Sequence, residues 1–447
     1  MAQDTPADLR NLVMYSVFVR QHSPEGTFAA VEADLPRIRA LGVDLVWLLP
    51  IHPIGEVARK GTLGSPYAIR DYRAVNPEYG TLDDFASLVR TAHGLGMKVM
   101  IDVVYNHTSP DSRLVAEHPE FFHQDAGGRP VTTVPEWSDV IDLRHGNAGL
   151  TEELIATLED WARLGVDGFR CDVASLVPVA FWREARARLA RVRPGVVWLA
   201  ENVHAAWVAE RREAGLPASS DSELYDACFD LEYDYDIWPL WMRVVRGEVP
   251  VRRYLEILRF QDCIYPATFV KMRCVENHDQ VRITELAPSP PQAKAWTAFE
   301  AFNRGAFLIY AGQEAAADHR PSLFEADKVT WNGYPLSPFI KRLAALKREP
   351  AVHDGRFVLV GDEPAIVAAW VAASGDETLV GVFNVGAASS GVSVPVAVPD
   401  GTYEDLLSDR PVTVTRGSIP MPAEAAVLRV AGSHEPVPLD FELLSPA

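Results

Sequence analysis

A chain of 447 residues, 48% apolar and 23% charged, has the length and composition of one large globular domain plus a smaller one. The formal net charge of −19 repels phosphate backbones, which sets nucleic acid aside as a partner, and no run of about 18 apolar residues is present to span a membrane. Met1–Arg10 shows no basic segment leading into an apolar stretch, so a cytoplasmic protein is expected, with its four cysteines reduced and none in a C-x-x-C pair.

Up to Pro350, strand-like and helix-like segments alternate. Leu12–Phe18 reads as a strand. From Phe28 to Leu41, Val31, Leu35, Ile38 and Leu41 share one helical face, and Gly42 stops it. Val43–Leu49 is a continuous apolar strand, Leu82–Leu95 a helix and Lys98–Val104 the third strand. Leu150, Leu154, Leu158, Trp161 and Leu164 form the next helical stripe, closed by Gly165, with strand Val166–Asp172 directly after it. The spacing then predicts a helix over 179–192, strand Val196–Ala200, a helix over 204–214 and a weaker strand near Leu224–Phe229. A helix over 238–259, strand Thr268–Val275, a helix over 292–303, strand Ala306–Tyr310 and a helix over 337–348 complete the series. Strands this apolar are buried on both faces, hence parallel and covered by helices. Unbroken strand–helix alternation favours a closed (β/α)8 TIM barrel, here 1–104 and 149–350, over an open doubly wound sheet.

Two stretches depart from that rhythm. Residues 105–148 are too long and polar for a simple loop and read as a small inserted lobe. From 351 to 447, short runs such as Ala365–Val371, Thr378–Asn384, Val392–Val396 and Ala426–Val430 lie between Gly, Pro and Asp turns, the pattern of an antiparallel β-sandwich. The acidic run Asp230–Asp236 reads as a solvated segment, with Tyr233, Tyr235, Trp238 and Trp241 as core aromatics.

Four polar signatures stand at the ends of apolar strands: Asp102–His107, Gly168–Asp172, Leu199–Asn202 and Val275–Asp279. Burying a polar group without a partner costs roughly 2–7 kcal/mol, so four at equivalent strand ends point to one convergent site. In a barrel, C-terminal strand ends meet over one pocket. Asp172, Glu201 and Asp279 with His107, His278 and Arg170 would then face it, a set suited to cleaving a glycosidic bond with one carboxylic acid and one carboxylate. Arg170, two residues before Asp172 on the same strand face, would hold that carboxylate ionised. Asp102, inside its strand, reads as a buried partner of a nearby donor.

These motifs, with Leu48–Pro53, Asp71-Tyr72, Asn76–Gly80 and Tyr310–Glu314, resemble those of the alpha-amylase family, glycoside hydrolase family 13, along nearly the whole chain. The resemblance implies Asp172 as nucleophile of a retaining double displacement, Glu201 as acid and base, and Asp279 as stabiliser of the transition state. It also implies that His107, His278, Tyr67 and Arg282 line the sugar subsite before the scissile bond, with Arg170 orienting Asp172. The implied substrate is an α-1,4-linked maltodextrin, and no cofactor is required for the chemistry. Transfer to a sugar acceptor, α-glucosidase action on short substrates and a non-catalytic binding role stand as alternatives. Family members acting on long α-1,4-glucans often carry Lys-His shortly after the nucleophile, where this chain has Val173-Ala-Ser-Leu-Val177. Many exo-acting relatives have Asp after the stacking tyrosine, where this chain has Ala68. Endo and exo action both stay open. The family's structural calcium would draw on Asn106 and Asp142, with Asp139 nearby, as hard oxygen ligands.

Overall fold

The computed structural model describes residues 7–373, 375–432 and 434–441. Residues 1–6, on which the leader expectation partly rests, and 442–447, the end of the expected C-terminal domain, lie outside the described residues. In chain order the strands are β1 (Val13–Val17), β2 (Leu45–Leu48), β3 (Lys98–Val103), β4 (His107–Thr108), β5 (Ile141–Asp142), β6 (Gly168–Cys171), β7 (Val197–Ala200), β8 (Leu231–Tyr233), β9 (Lys271–Arg273) and β10 (Ala306–Tyr310). Eight of them close into a barrel in the order β1–β10–β9–β8–β7–β6–β3–β2, while β4 and β5 pair antiparallel in the inserted segment. Among the described residues, no helix is long and apolar enough to cross a membrane.

Contacts gather the described chain into two compact units, residues 14–236 with 320–330, and residues 7–13, 237–319 and 331–441. In the first, the parallel register pairs Asp102 of β3 with Arg170 of β6, and Arg170 with Leu199 of β7. Gly168 opens β6 because a Cβ there would lie 2.8 Å from Met100 Cε and 2.9 Å from the Val197 carbonyl, so only glycine admits both neighbours. The helix before it, Ala148–Leu164, is capped by Asn147 and ended by Gly165 at φ +115°, which delivers the chain straight into β6.

Two expectations in this unit fail for local reasons. Leu224–Phe229 is no strand: Asp221–Ala227 is a helix, started by a capping box between Ser220 and Glu223. The sixth barrel strand is instead β8, inside the acidic run expected to be solvated. Asp230 and Glu232 are 2% and 0% exposed, and Asp230 is bidentate to Arg186 at 2.9 Å while also accepting the Trp198 amide at 2.9 Å.

In the second unit, the single helix expected over 238–259 is two, Trp238–Val245 and Val251–Ile264. Gly247, at φ +75°, and Pro250 interrupt it. Helices Pro290–Phe302 and Ser337–Leu346 follow, and then an all-β region. Its strands are β11 (Arg356–Gly361), β12 (Ile366–Val371), β13 (Glu377–Phe383), β14 (Ser393–Pro395), β15 (Gly401–Asp405), β16 (Val412–Val414), β17 (Ser418–Pro420) and β18 (Ala425–Ala431). A six-stranded antiparallel sheet, β11–β12–β13–β18–β15–β16, shares one core with the β14–β17 pair through Val367, Val380, Val394, Ile419 and Leu428.

Candidate active site

Asp172 follows the last residue of β6 and Glu201 the last residue of β7, neighbouring barrel strands. The Asp172 amide donates to Val103 O at 2.9 Å and the Glu201 amide to Cys171 O at 3.0 Å, so ladder bonding continues through both carboxylate positions. Between them lies Arg170, fully buried. Its Nη1 donates to Asp172 Oδ1 and to Asp102 Oδ1, each at 2.8 Å. Its Nη2 pairs with Glu201 Oε1 at 2.8 Å, and its Nε donates to Tyr233 Oη at 3.1 Å. The guanidinium also packs over the rings of Trp47, Tyr67 and Tyr233 at 5.4–5.5 Å. One cation thus serves three carboxylates.

The electrostatics follow from that ratio. Burial alone would push Arg170 down, but Asp102 and Glu201 outweigh it and hold the guanidinium charged. Asp102, without solvent exposure, is pushed up by burial, and the charges of Asp172 and Glu201 add to this while Arg170 opposes it. Three carboxylates around one positive charge cannot all ionise cheaply, so the proton affinity of the group as a whole is raised, Asp102 most visibly.

The remaining groups shape the approach. Tyr67, half-buried, donates from its hydroxyl to Asp102 Oδ2 at 3.2 Å, which ties it to the same cluster. His107 Nε2 stands 3.9 Å from Asp172 Oδ2, beyond a hydrogen bond. Burial pushes His107 down to about 4, with Asp142 and Asp139 pulling the other way, so its imidazole is neutral at pH 7. Its ring lies 5.1 Å from that of Trp137, which in turn lies 5.8 Å from Trp207. Val173, next to Asp172, has φ +37° and ψ +47°, a left-handed conformation rare for a β-branched residue. In it the Val173 amide donates to Glu201 Oε2 at 2.8 Å. Strain at this position therefore positions a carboxylate.

Tyr67, His107, Arg170, Asp172 and Glu201 all belong to the first unit, and His107, Arg170, Asp172 and Glu201 join one buried cluster there. His278 and Asp279 belong to the second. There His278 Nε2 is 3.0 Å from Asp279 Oδ2, and Asn277 Oδ1 accepts the Asp279 amide at 2.9 Å, turning the chain at the end of that motif. Arg282, expected from the resemblance to line the subsite, lies in the same unit. It is fully buried, with Nη1 2.6 Å from Glu276 Oε1, Nη2 donating to Ala311 O and Nε to His319 O. These three bonds hold neighbouring segments together. Sequence reasoning passed over Tyr233 and the Val173 amide. Tyr233 looked like core, and a main-chain donor leaves no side-chain signature.

The calcium ligand set does not fit. Asp139 is paired with Lys60 Nζ at 2.9 Å. Asp142 accepts the Thr133 amide at 2.8 Å and the Thr133 and Thr132 hydroxyls at 2.5 and 3.3 Å. Arg211 donates to Thr133 Oγ1 at 3.1 Å, and its charge bears on Asp142. The Asn106 amide nitrogen faces His107 Nδ1 at 3.3 Å. Calcium asks for six to eight oxygen ligands, whereas the Asp142 oxygens already receive one N–H and two O–H donors and Asp139 is paired with a lysine. Among the described residues, no group of three or more His, Cys, Asp or Glu gathers to hold a metal.

A parallel barrel with paired carboxylates and an arginine at its strand ends defines a carbohydrate-active class of enzyme. The alpha amylase catalytic-domain family matches residues 8–125, and the bacterial alpha amylase C-terminal domain family matches residues 358–428. An alpha-amylase from Lactobacillus plantarum is 44% identical, with a TM-score of 0.91 over 95% of this chain and 100% of that one. The noncanonic maltogenic alpha-amylase AmyB from Thermotoga neapolitana is 32% identical, with a TM-score of 0.82 over 95% and 99%. An alpha-1,4-glucan:maltose-1-phosphate maltosyltransferase of Mycobacterium tuberculosis is 30% identical over 74% of this chain, and the chain spans about half of that relative's length, 49%. The chain belongs to the alpha-amylase family, glycoside hydrolase family 13.

Proposed function

We propose that the chain is a retaining enzyme that cleaves α-1,4 bonds of maltodextrin-sized glucosides by double displacement. The observation that carries this is the placement of Asp172 and Glu201, from neighbouring strand ends, at 2.8 Å from one buried guanidinium. Asp172, held ionised by Arg170, attacks the anomeric carbon. Glu201 delivers a proton to the departing glycosidic oxygen, leaving a covalent glycosyl-enzyme. Glu201, now a carboxylate, takes a proton from water, which attacks the same carbon and frees Asp172. Tyr67 offers its ring to the sugar and neutral His107 a hydrogen bond to a hydroxyl. The family resemblance gives His278 the part of a hydrogen-bond partner to a sugar hydroxyl and Asp279 that of steadying the oxocarbenium-like transition state.

The experiment is proton NMR of maltotetraose cleavage. The first-formed reducing end is the α-anomer, and Asp172→Ala lowers kcat about 10⁴-fold or more, as loss of a covalent nucleophile does. A β-anomer as first product sinks the mechanism, and a full-length variant with undiminished turnover removes Asp172 from it.

A second reading, transfer to a sugar acceptor, is favoured by one feature. Val173, Leu176, Val203 and Val208 form an apolar cluster beside the two carboxylates, and half-buried Trp137 and Trp207 pack on it. Such a wall suits a sugar face better than water. The mycobacterial relative bears a transferase name, which points the same way. Products longer than maltotetraose mean transfer; shorter ones alone mean hydrolysis.

A further inference from the structure

The turn after β6 carries a buried hydroxyl to which the mechanism above gives no part. Ser175 is 1% exposed and lies in Val173–Val177, the stretch where family members acting on long glucans often carry Lys-His. The turn is built from main-chain bonds, Leu176 N to Val173 O at 2.8 Å and Val177 N to Ala174 O at 3.3 Å, so it does not need that hydroxyl. Ser175 Oγ reaches instead to the segment after β7 and accepts the Val203 amide at 3.2 Å. We propose that Ser175 is a positioning residue for Glu201, fixing where the acid meets the departing glycosidic oxygen; this rests on the reading of Glu201 as acid and base.

Glu201 needs outside support because it stands past the end of its strand. β7 ends at Ala200, the next helix begins at Ala205, and residues 201–204 belong to neither. The Ala174 amide donates to Glu201 O at 2.9 Å, the Val203 amide to Ser175 Oγ, and Asn202 Nδ2 to Asp221 Oδ2 at 2.6 Å. Two of these bonds come from Ala174 and Ser175. The residue before them, Val173, gives its amide to Glu201 Oε2 at 2.8 Å. One turn therefore grips the carboxylate, the carbonyl and the main chain two residues beyond.

That turn is itself anchored, since the Ser219 amide donates to Ser175 O at 2.8 Å and Trp182 Nε1 to Ala174 O at 3.2 Å. It begins at the residue after Asp172, so the piece of chain that follows the nucleophile also holds the acid. Retaining hydrolysis needs the two carboxyl groups about 5–5.5 Å apart. A catalytic group must stay within about 0.5 Å of its productive place, and a misplacement of about 1 Å can cost about 100-fold in rate. Without Ser175 Oγ the buried Val203 amide must find another acceptor, and the segment with Glu201 shifts with it. Asp172 keeps its ladder bond to Val103 O and its pairing with Arg170, so the deficit falls on protonation and not on attack.

The test compares kcat/KM, which reports formation of the glycosyl-enzyme, on two substrates. In maltotetraose the glycosidic oxygen leaves with the bonding pair and takes a proton from Glu201. In α-maltosyl fluoride, fluoride leaves with the pair and needs no proton, while Asp172 forms the same bond to carbon. Ser175→Ala should lower kcat/KM at least about tenfold on maltotetraose and less than about twofold on the fluoride. Ser175→Cys, close in size and a weaker acceptor, should show the same contrast in smaller degree, and carries the test alone if Ser175→Ala does not fold. An equal fall on both substrates in either folded variant is the mark of a general packing loss and overturns the proposal. An unchanged maltotetraose value in folded Ser175→Ala overturns it too. Glu201→Gln is the reference, with a loss concentrated on maltotetraose. If Glu201→Gln loses equally on both substrates, the acid assignment itself falls, and the role of Ser175 with it.

Discussion

Replacing Arg170 by Met tests the electrostatic core of the site. The guanidinium is 0% exposed and lies 2.8 Å from each of Asp102, Asp172 and Glu201. Met fills much of its volume but leaves three carboxylates facing one another. Removing one partner of a buried ion pair typically costs about 3–5 kcal/mol, and here three anions lose their cation together, so the upper end is expected at pH 8. The loss depends on pH. Asp102 is already pushed up by burial, and without Arg170 the opposing influence disappears, so the cluster's folded-state pKa values rise further above their unfolded values. The folded state then binds more protons than the unfolded one, and stability falls as pH rises through the raised values. Urea unfolding of wild type and variant at pH 5 and pH 8 measures this, with the larger difference at pH 8. Arg170→Lys restores one ion pair but not the fork that reaches several carboxylates, and should lie between. An Arg170→Met variant within about 1 kcal/mol of wild type at pH 8 would refute the argument, since that is the scale of an ordinary exposed pair. A loss identical at the two pH values would refute it equally.

Other outcomes follow from single features. His52, His107 and His145 are each pushed down to about 4 by burial, so the unfolded chain binds more protons between pH 6.5 and 4. Stability present above pH 6.5 is lost as pH falls towards 4, about 3 kcal/mol for each histidine, and His145→Gln should remove about 3 kcal/mol of that loss. Val173→Gly releases a left-handed β-branched residue, worth about 1 kcal/mol, but removes a buried side chain from the cluster with Leu176, Val203 and Val208, worth about 2 kcal/mol, so the unfolding midpoint should fall while kcat falls at nearly constant KM. EDTA should leave the unfolding midpoint unchanged, whereas Lys60→Met, which strips the partner of buried Asp139, should lower stability by about 1–3 kcal/mol; an EDTA-sensitive midpoint contradicts the reading of that junction.

Most of the barrel was legible because its strands are apolar on both faces and its helices carry a stripe at helical spacing, as in Leu150–Leu164 ahead of Gly165. The sixth strand was not. Its polar letters suggest solvent, yet Asp230 is buried because Arg186, on the helix Val179–Val192, and the Trp198 amide reach it. Local patterning cannot see a partner 44 residues away. Leu224–Phe229 was misread although its corrective, Ser220 with Glu223 three residues on, stood in plain text. Gly247 and Pro250 likewise announce the break in the helix expected over 238–259.

The site residues divide along the same physical line. Asp172, Glu201 and Arg170 were readable because strand alternation and strand ends fix where they point. For Arg282, proximity to His278 and Asp279 in sequence says nothing about which acceptors meet a five-donor guanidinium, and the structure shows three of them to be Glu276 and two carbonyls. For Asn106 and Asp142, a carboxylate or amide oxygen looks the same in sequence whether a cation or an N–H fills its lone pairs. What decides is the competing donor. Lys60, which pairs with Asp139, comes from a segment well before 105–148 in sequence, so the choice between ion and ion pair at Asp139 is made by tertiary structure alone. The consequence reaches the chemistry, because β4 and β5 pair His107 with Asp142 in register. The Thr132 and Thr133 donors that hold Asp142 therefore also fix where His107 stands relative to Asp172.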